Sequence, residues 1–350
     1  MLVAALTSCS VTATSAPSRS PLQATQAADL RAQLDLLLTE HVMIVAKESA
    51  AAVNSSQEYA GYAALLATNE QALVGVVGRA AGHTSASLFA HAWEALNADL
   101  VEYAIRVATH DADRADAATS RLTQVTMHDL ADRFGELTLS QPQPILAMIT
   151  TEVTAMRDAI DAAADHHYVA MYTSLAGAVA SATSLGDVIA EGLVSRFPDM
   201  FPGDQASGEA TRRVHLNVFL QERAYLMTMT TDALLNGRKD EKTQALAALT
   251  TNLNLLVAEM NDSQSRKLWN DELAAIQGYA PSGDAASKSA LNETFVSRLA
   301  STTRVSPGII TNQIDATIKV IDDQRSKQND AVAQDDRTAA TGMQPIADSL

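Results

Sequence analysis

The sequence predicts an all-α protein, organised as tandem up-and-down helical bundles that arose by internal duplication. Three observations carry that prediction. Hydrophobic residues make up 47% of the chain and aromatic ones only 4%, with many alanines, 15 glycines and nine prolines in 350 residues. Such a chain packs helices through small side chains more readily than it builds sheets. Apolar residues also recur at three- and four-residue spacings over long stretches. Finally, a set of residues that do not belong to a core returns in the same order in the second half, and repeats are sought before any fold is assigned.

The chain begins with a short apolar run ending in Leu6-Thr7-Ser8-Cys9, and Cys9 is the only cysteine. An apolar residue and two small ones before a cysteine resemble a bacterial lipobox, in which the cysteine is lipidated and becomes the mature N-terminus. The run lacks a basic n-region and is shorter than a usual signal h-region, which an upstream start would explain. Residues 10–26 then read as a Ser/Thr/Pro/Ala tether. Acyl chains hold by burying methylenes at roughly 0.8 kcal/mol each, so several anchor a protein without a spanning helix. No later stretch reaches the length of apolar sequence that crosses a bilayer. Residues 1–27 are therefore expected to be leader and tether, and one cysteine leaves no internal disulfide.

The first helix is expected over 29–54. Leu30, Leu34, Leu37, Leu38, Ile44 and Val45 share one face, Asp29 is placed to cap the first turn, and Asn54 with two serines suits the exit. Helices over 57–80, 85–109 and 114–135 follow. Gln141-Pro142-Gln143-Pro144 breaks the pattern, since proline removes a backbone donor and disfavours helix in the residue before it. A fifth helix is expected over 144–164. Asp165 is placed to cap a sixth that carries His166 and His167 and reaches Gly186, and 187–196 is a short seventh. The two Phe-Pro pairs within 197–203 close the first unit, 28–203.

The second unit, 204–330, repeats that order in a shorter copy. Arg31, Leu34, Leu38, Glu40, Ala51 and Asn54 are met, at one constant shift, by Arg213, Leu216, Leu220, Glu222, Ala233 and Asn236. Apolar positions match between any two amphipathic helices, but Arg, Glu and the closing Asn do not. Leu66, Thr68, Asn69, Leu73 and Val74 likewise return as Leu249, Thr251, Asn252, Leu256 and Val257. The two tryptophans stand equally far before a tyrosine, Trp93 before Tyr103 and Trp269 before Tyr279, and Ile321-Asp322 matches Ile160-Asp161. Helices are expected over 211–236 and 240–261, around Trp269, and over 286–301, with Pro307 matching Pro144. The copy is then expected to stop, leaving 331–350 as a polar, disordered tail.

Glu40-His41-Val42 in the first helix, Asn69 in the second, Trp93 with Val101-Glu102-Tyr103, and the Phe197-Pro198 close resemble an uncharacterised family of exported helical-bundle proteins and lipoproteins of Gram-positive bacteria. The likeness covers 29–203 well and the second copy loosely. It implies the fold and export, and no reaction. Relatives in that family tend to carry a histidine three residues after the tryptophan, where this chain has Leu96 and Glu272, so the resemblance does not imply a metal site.

Motifs that carry chemistry are few. No histidine follows a glutamate at the spacing a di-iron bundle needs. No His-Glu-x-x-His, Gly-x-Ser-x-Gly or glycine-rich phosphate loop is present. Asp111, Asp113 and Asp116 lack the turn glycine and distal glutamate of a calcium loop. Three groups remain as candidates. His41, on the apolar stripe between Leu37 and Ile44, is either a metal or haem ligand or a hydrogen-bonded core residue, and its counterpart is Arg223. His166 and His167, beside Asp161 and Asp165, suit copper or zinc, or mark a capped helix start. Asn69 and Asn252 sit mid-helix on equivalent faces, where a buried asparagine needs partners. With Trp93, Tyr103, Trp269 and Tyr279 they read as a polar lock between helices or as a ligand contact.

A formal charge of −16 opposes nucleic-acid phosphates and anionic lipid alike. The function expected is that of an exported cell-envelope protein, anchored to the membrane by lipid at Cys9, without a cofactor or an enzymatic role. It would bind an envelope protein or small ligand in a groove between the units. The alternative is a bundle that holds copper, zinc or haem on His41 and the His166-His167 cluster.

Overall fold

The computed structural model describes residues 25–262 and 265–350, and every regular element among them is helical. The expected leader and Cys9 lie outside the described residues. Two long helices hold the centre, α1 (Gln26–Val53) and α8 (Gly208–Leu235). They run side by side in one direction: Asp29 meets Arg213 near their starts, Glu40 meets Tyr225 midway, and Lys47 meets Thr228 towards their ends. Thr25 and Ser207 cap them, each hydroxyl accepting a backbone N–H from three residues on. Asp29, expected as the cap, lies in the first turn instead.

Helices surround this pair on all sides. On α1 pack α2 (Tyr59–Ala81), α3 (His83–Ala108), α6 (Pro142–Ala164) and α7 (Tyr168–Arg196), with α4 (Ala112–Arg121) against α3 and α5 (Met127–Thr138) against α6. On α8 pack α9 (Lys239–Met260), α10 (Ser265–Ser282), α13 (Pro307–Ser326), α14 (Asn329–Thr341) and the short α15 (Gln344–Ala347). A π-helical turn, Leu122–Thr126, joins α4 to α5, and a second, Leu291–Val296, joins α11 (Ala285–Ala290) to α12 (Ser297–Thr302). The groups interlock, since α7 also touches α9 and α14 also touches α2, and one apolar cluster runs through both.

This enclosure corrects the expectation of a single apolar stripe on the first helix. Arg31, Asp35, Glu40, His41, Lys47 and Glu48 of α1 are all buried, because helices pack around it, and Arg31, Glu40, His41 and Lys47 find hydrogen-bond partners inside. Three further expectations fail. The segment 331–350 is not a disordered tail: α14 and α15 fill it, burying Val332, Ala333, Asp336, Ala339, Ala340 and Ile346. Composition hid this, because a stripe of alanines reads as polar sequence yet lets helices approach closely. α14 can therefore lie against α2, where Gly61 faces Ala333. The sixth and seventh helices are one, α7, and Gly186 does not break it; its missing side chain leaves room for Asp35 of α1. Asp165 closes α6 instead of opening a helix, and His166 and His167 lie in the turn before α7.

Candidate functional site

A cleft of about 410 Å³ opens where α1 and α8 end together. Its rim carries Asn54 and Asn236, the last-turn caps of the two helices, whose side-chain amides donate back to the carbonyls of Ala50 and Asp232. The starts of α2, α9 and α14 open on the same cleft through Glu58, Arg238 and Asn329, so the negative ends of α1 and α8 are offset by positive ones.

The floor is a buried polar cluster. The Lys47 ammonium donates to Thr228 Oγ1 at 2.8 Å and to the Asp336 carboxylate. Asp336 also accepts from Tyr62 Oη at 3.0 Å and from Thr228 Oγ1 at 2.7 Å, and is wholly enclosed. The rings of Tyr62 and Tyr225 lie 5.3 and 5.7 Å from Lys47 Nζ, within cation–π reach. Burial and nearby carboxylates push both phenols well above their usual range, so they remain neutral donors.

On the walls, Arg238 donates to Asp232 and to Glu241, and Lys327 donates to Asn236 Oδ1 at 2.7 Å. Glu58 is different. Its carboxylate makes no hydrogen bond or ion pair among the described residues, and burial, with Asp232 nearby, raises its pKa to about 7.

The candidates named from the sequence fall elsewhere. His41 is fully buried, 4.8 Å from Trp93 ring to ring, with Nε2 2.8 Å from Asn97 Oδ1. Asn97 Nδ2 donates to Glu70, so its oxygen is left to accept from the imidazole N–H, and His41 Nδ1 keeps a lone pair. That nitrogen stands 4.0 Å from Glu152, but burial lowers the histidine to about 4 and raises Glu152 to about 8. Two neutral groups face each other there at pH 7. In the matching place on α8, Arg223 stacks on Trp269 at 5.2 Å and forms a buried ion pair with Glu272 at 2.9 Å.

His166 and His167 end α6 in a hydrogen-bonded turn, in which His166 takes φ 57° and the backbone N–H of His167 reaches Ala162 O. The side chain of Asp161 accepts from Tyr103 at 2.6 Å, and Asp165 is the α6 C-cap. Among the described residues no group of three or more His, Cys, Asp or Glu is placed to hold a metal ion.

Asn69 and Asn252 make the same contacts. Asn69 Nδ2 donates to Leu37 O and Glu40, and Asn252 Nδ2 to Phe219 O and Glu222, at 2.8 to 3.0 Å. Each ties its helix to a central one. Tyr103 and Tyr279 match as well, donating to Asp161 and Asp322 at 2.6 and 2.7 Å.

The cleft residues escaped the sequence reading. Lys47 had a usable signal, a cation with no acid three or four residues away, but its partner Asp336 lies in the segment read as a tail. No family model matches the chain, and no curated protein or solved structure matches it. Among the described residues no helix is long and apolar enough to cross a membrane.

Proposed function

We propose that this chain is an exported binding module, held at the cell envelope by lipid on Cys9, which takes a small polar ligand into the cleft between the ends of α1 and α8. The cleft carries the reading. Its volume of about 410 Å³ suits a small molecule, pockets for which run from about 300 to 1,000 Å³. Its polar groups are fixed by long helices on a packed core, so little ordering is needed on binding. The lipobox-like Leu6-Thr7-Ser8-Cys9 and the resemblance to exported helical proteins support the location.

The two parts have separate tests. Cys9→Ala in a correctly started gene should move the protein from the membrane fraction to the medium; retention on membranes would defeat the anchor. Filling the cleft with Ala51→Trp should abolish the thermal shift that a small-molecule library produces in the parent protein. A library in which every stabilising compound acts equally on both proteins would defeat the site.

A further inference from the structure

We infer that the ligand of this cleft is a small organic cation, a molecule bearing one or two ammonium or guanidinium groups. The inference rests on the binding-module reading and names its ligand class.

Two observations on separate groups converge. The cations around the cleft are already engaged: Lys47 on Asp336, Arg238 on Asp232 and Glu241, and Lys327 on the Asn236 amide oxygen. Counting Asp336 behind Lys47, those three cations face four carboxylates, Glu58, Asp232, Glu241 and Asp336, so the surroundings carry a net negative charge. Glu58 is the carboxylate among them without a hydrogen bond or ion pair, and it carries its charge as pH rises through about 7, with Lys327 facing it.

The second observation is the floor, which already holds a primary ammonium. Lys47 Nζ rests between two tyrosine rings, on a hydroxyl and a carboxylate, and aromatic faces with acceptor oxygens are the surroundings that receive a desolvated ammonium.

A cation entering beside Glu58 replaces the proton that the burial of Glu58 favours. Asp232, Asp336, Lys47 and Lys327 are the charged groups that face it. Binding should therefore strengthen as pH rises through about 7 and release a fraction of a proton.

Isothermal titration of the full chain with putrescine, agmatine and spermidine, alongside succinate and inorganic phosphate, tests the class. The expected result is saturable binding of at least one amine, at least tenfold weaker in Glu58→Gln and weaker at pH 6 than at pH 8. Glu58→Lys, which brings a tethered ammonium into the cleft, should abolish it. Glu58 is partly exposed, so both variants should fold, which circular dichroism checks. Amine binding untouched by either variant would overturn the site. Binding of succinate or phosphate, without the amines, would overturn the cation class and leave the binding module standing. No binding of either class at millimolar concentration would overturn both.

Discussion

The two flanks of the α1–α8 pair are built from matching positions and opposite chemistry. Counted from the first residue of each helix, Lys47 of α1 stands where Met229 stands in α8, and Asp336 of α14 where Leu175 stands in α7. On one flank the result is an ion pair with two tyrosines under an open cleft. On the other, Leu175 lies with Val42, Val45, Met156 and Met171 around a void of only about 10 Å³. Leu175 thus makes apolar contact where Asp336 makes an ion pair, whereas Met229, the counterpart of Lys47, lines the open cleft itself. Desolvating an ion pair costs about as much as its attraction returns, so an apolar replacement is often neutral or better.

The largest expected effect breaks this contrast from one side. Asp336→Ala leaves the Lys47 ammonium buried without its carboxylate and should cost about 3–5 kcal/mol in urea denaturation, as removal of one partner of a buried pair does. Lys47→Met with Asp336→Leu, which puts the residues of the counterpart positions in their place, should recover most of that loss or exceed the parent. A double variant as unstable as the single one would mean that the cluster holds the fold through Tyr62 and Thr228, not through charge.

A smaller effect sharpens the likeness between the halves. Asn69 and Asn252 hold Glu40 and Glu222 in the same way, but Glu40 also receives Arg337 at 3.0 and 3.2 Å, whereas Glu222 relies on Asn252 for its side-chain hydrogen bond. Burial already pushes the Glu222 carboxyl upward, and the asparagine opposes that. Asn252→Ala should therefore cost about 1–3 kcal/mol, the penalty of a buried acceptor left unsatisfied, and Asn69→Ala less. Equal losses would show that Arg337 contributes nothing to holding Glu40.

These residues also show where sequence reading works. The helices were legible because periodic apolar spacing and prolines act locally, and the paired asparagines because asparagine is disfavoured mid-helix unless something holds it. The Trp–Tyr spacing was legible, though nothing in it said that each tyrosine would reach Asp161 or Asp322. The cleft was not legible. Lys47, Tyr62, Thr228 and Asp336 come from four helices widely separated along the chain, and only packing brings them together. The tail was misread for a related reason: α14 is stable by burial against α2 and α8, not by its own composition. His166 and His167 were read as a metal pair or a capped helix start, and the sequence did not show that they form the turn that ends α6.

The subtlest contrast lies between His41 and Arg223, which face Glu152 and Glu272 from matching places on α1 and α8. Arg223 keeps its charge and pairs. His41 does not, and its neighbour Glu152 holds a proton to about pH 8 because burial opposes its charge. A carboxyl raised in the fold favours the folded state fully below its unfolded pKa of about 4.5 and loses that contribution as pH climbs to about 8. His41, lowered to about 4, acts oppositely, and its contribution is lost as pH falls from about 6.5. At pH 6.5 the histidine, half protonated in the unfolded chain, still adds a slope of opposite sign that fades towards pH 8, and comparing the parent with Glu152→Gln over pH 6.5 to 8 removes it. Glu152→Gln should flatten the decline in stability over that window by up to about 1.4 kcal/mol per pH unit, one proton's worth. Denaturation series at pH 6.5, 7.2 and 8.0 measure it, and the slope that remains belongs to other raised carboxyls such as Glu48 and Glu58. An unchanged slope would mean that Glu152 is already ionised in the fold, making its 4.0 Å approach to His41 an ion pair like that of Arg223 and Glu272, and erasing this difference between the halves.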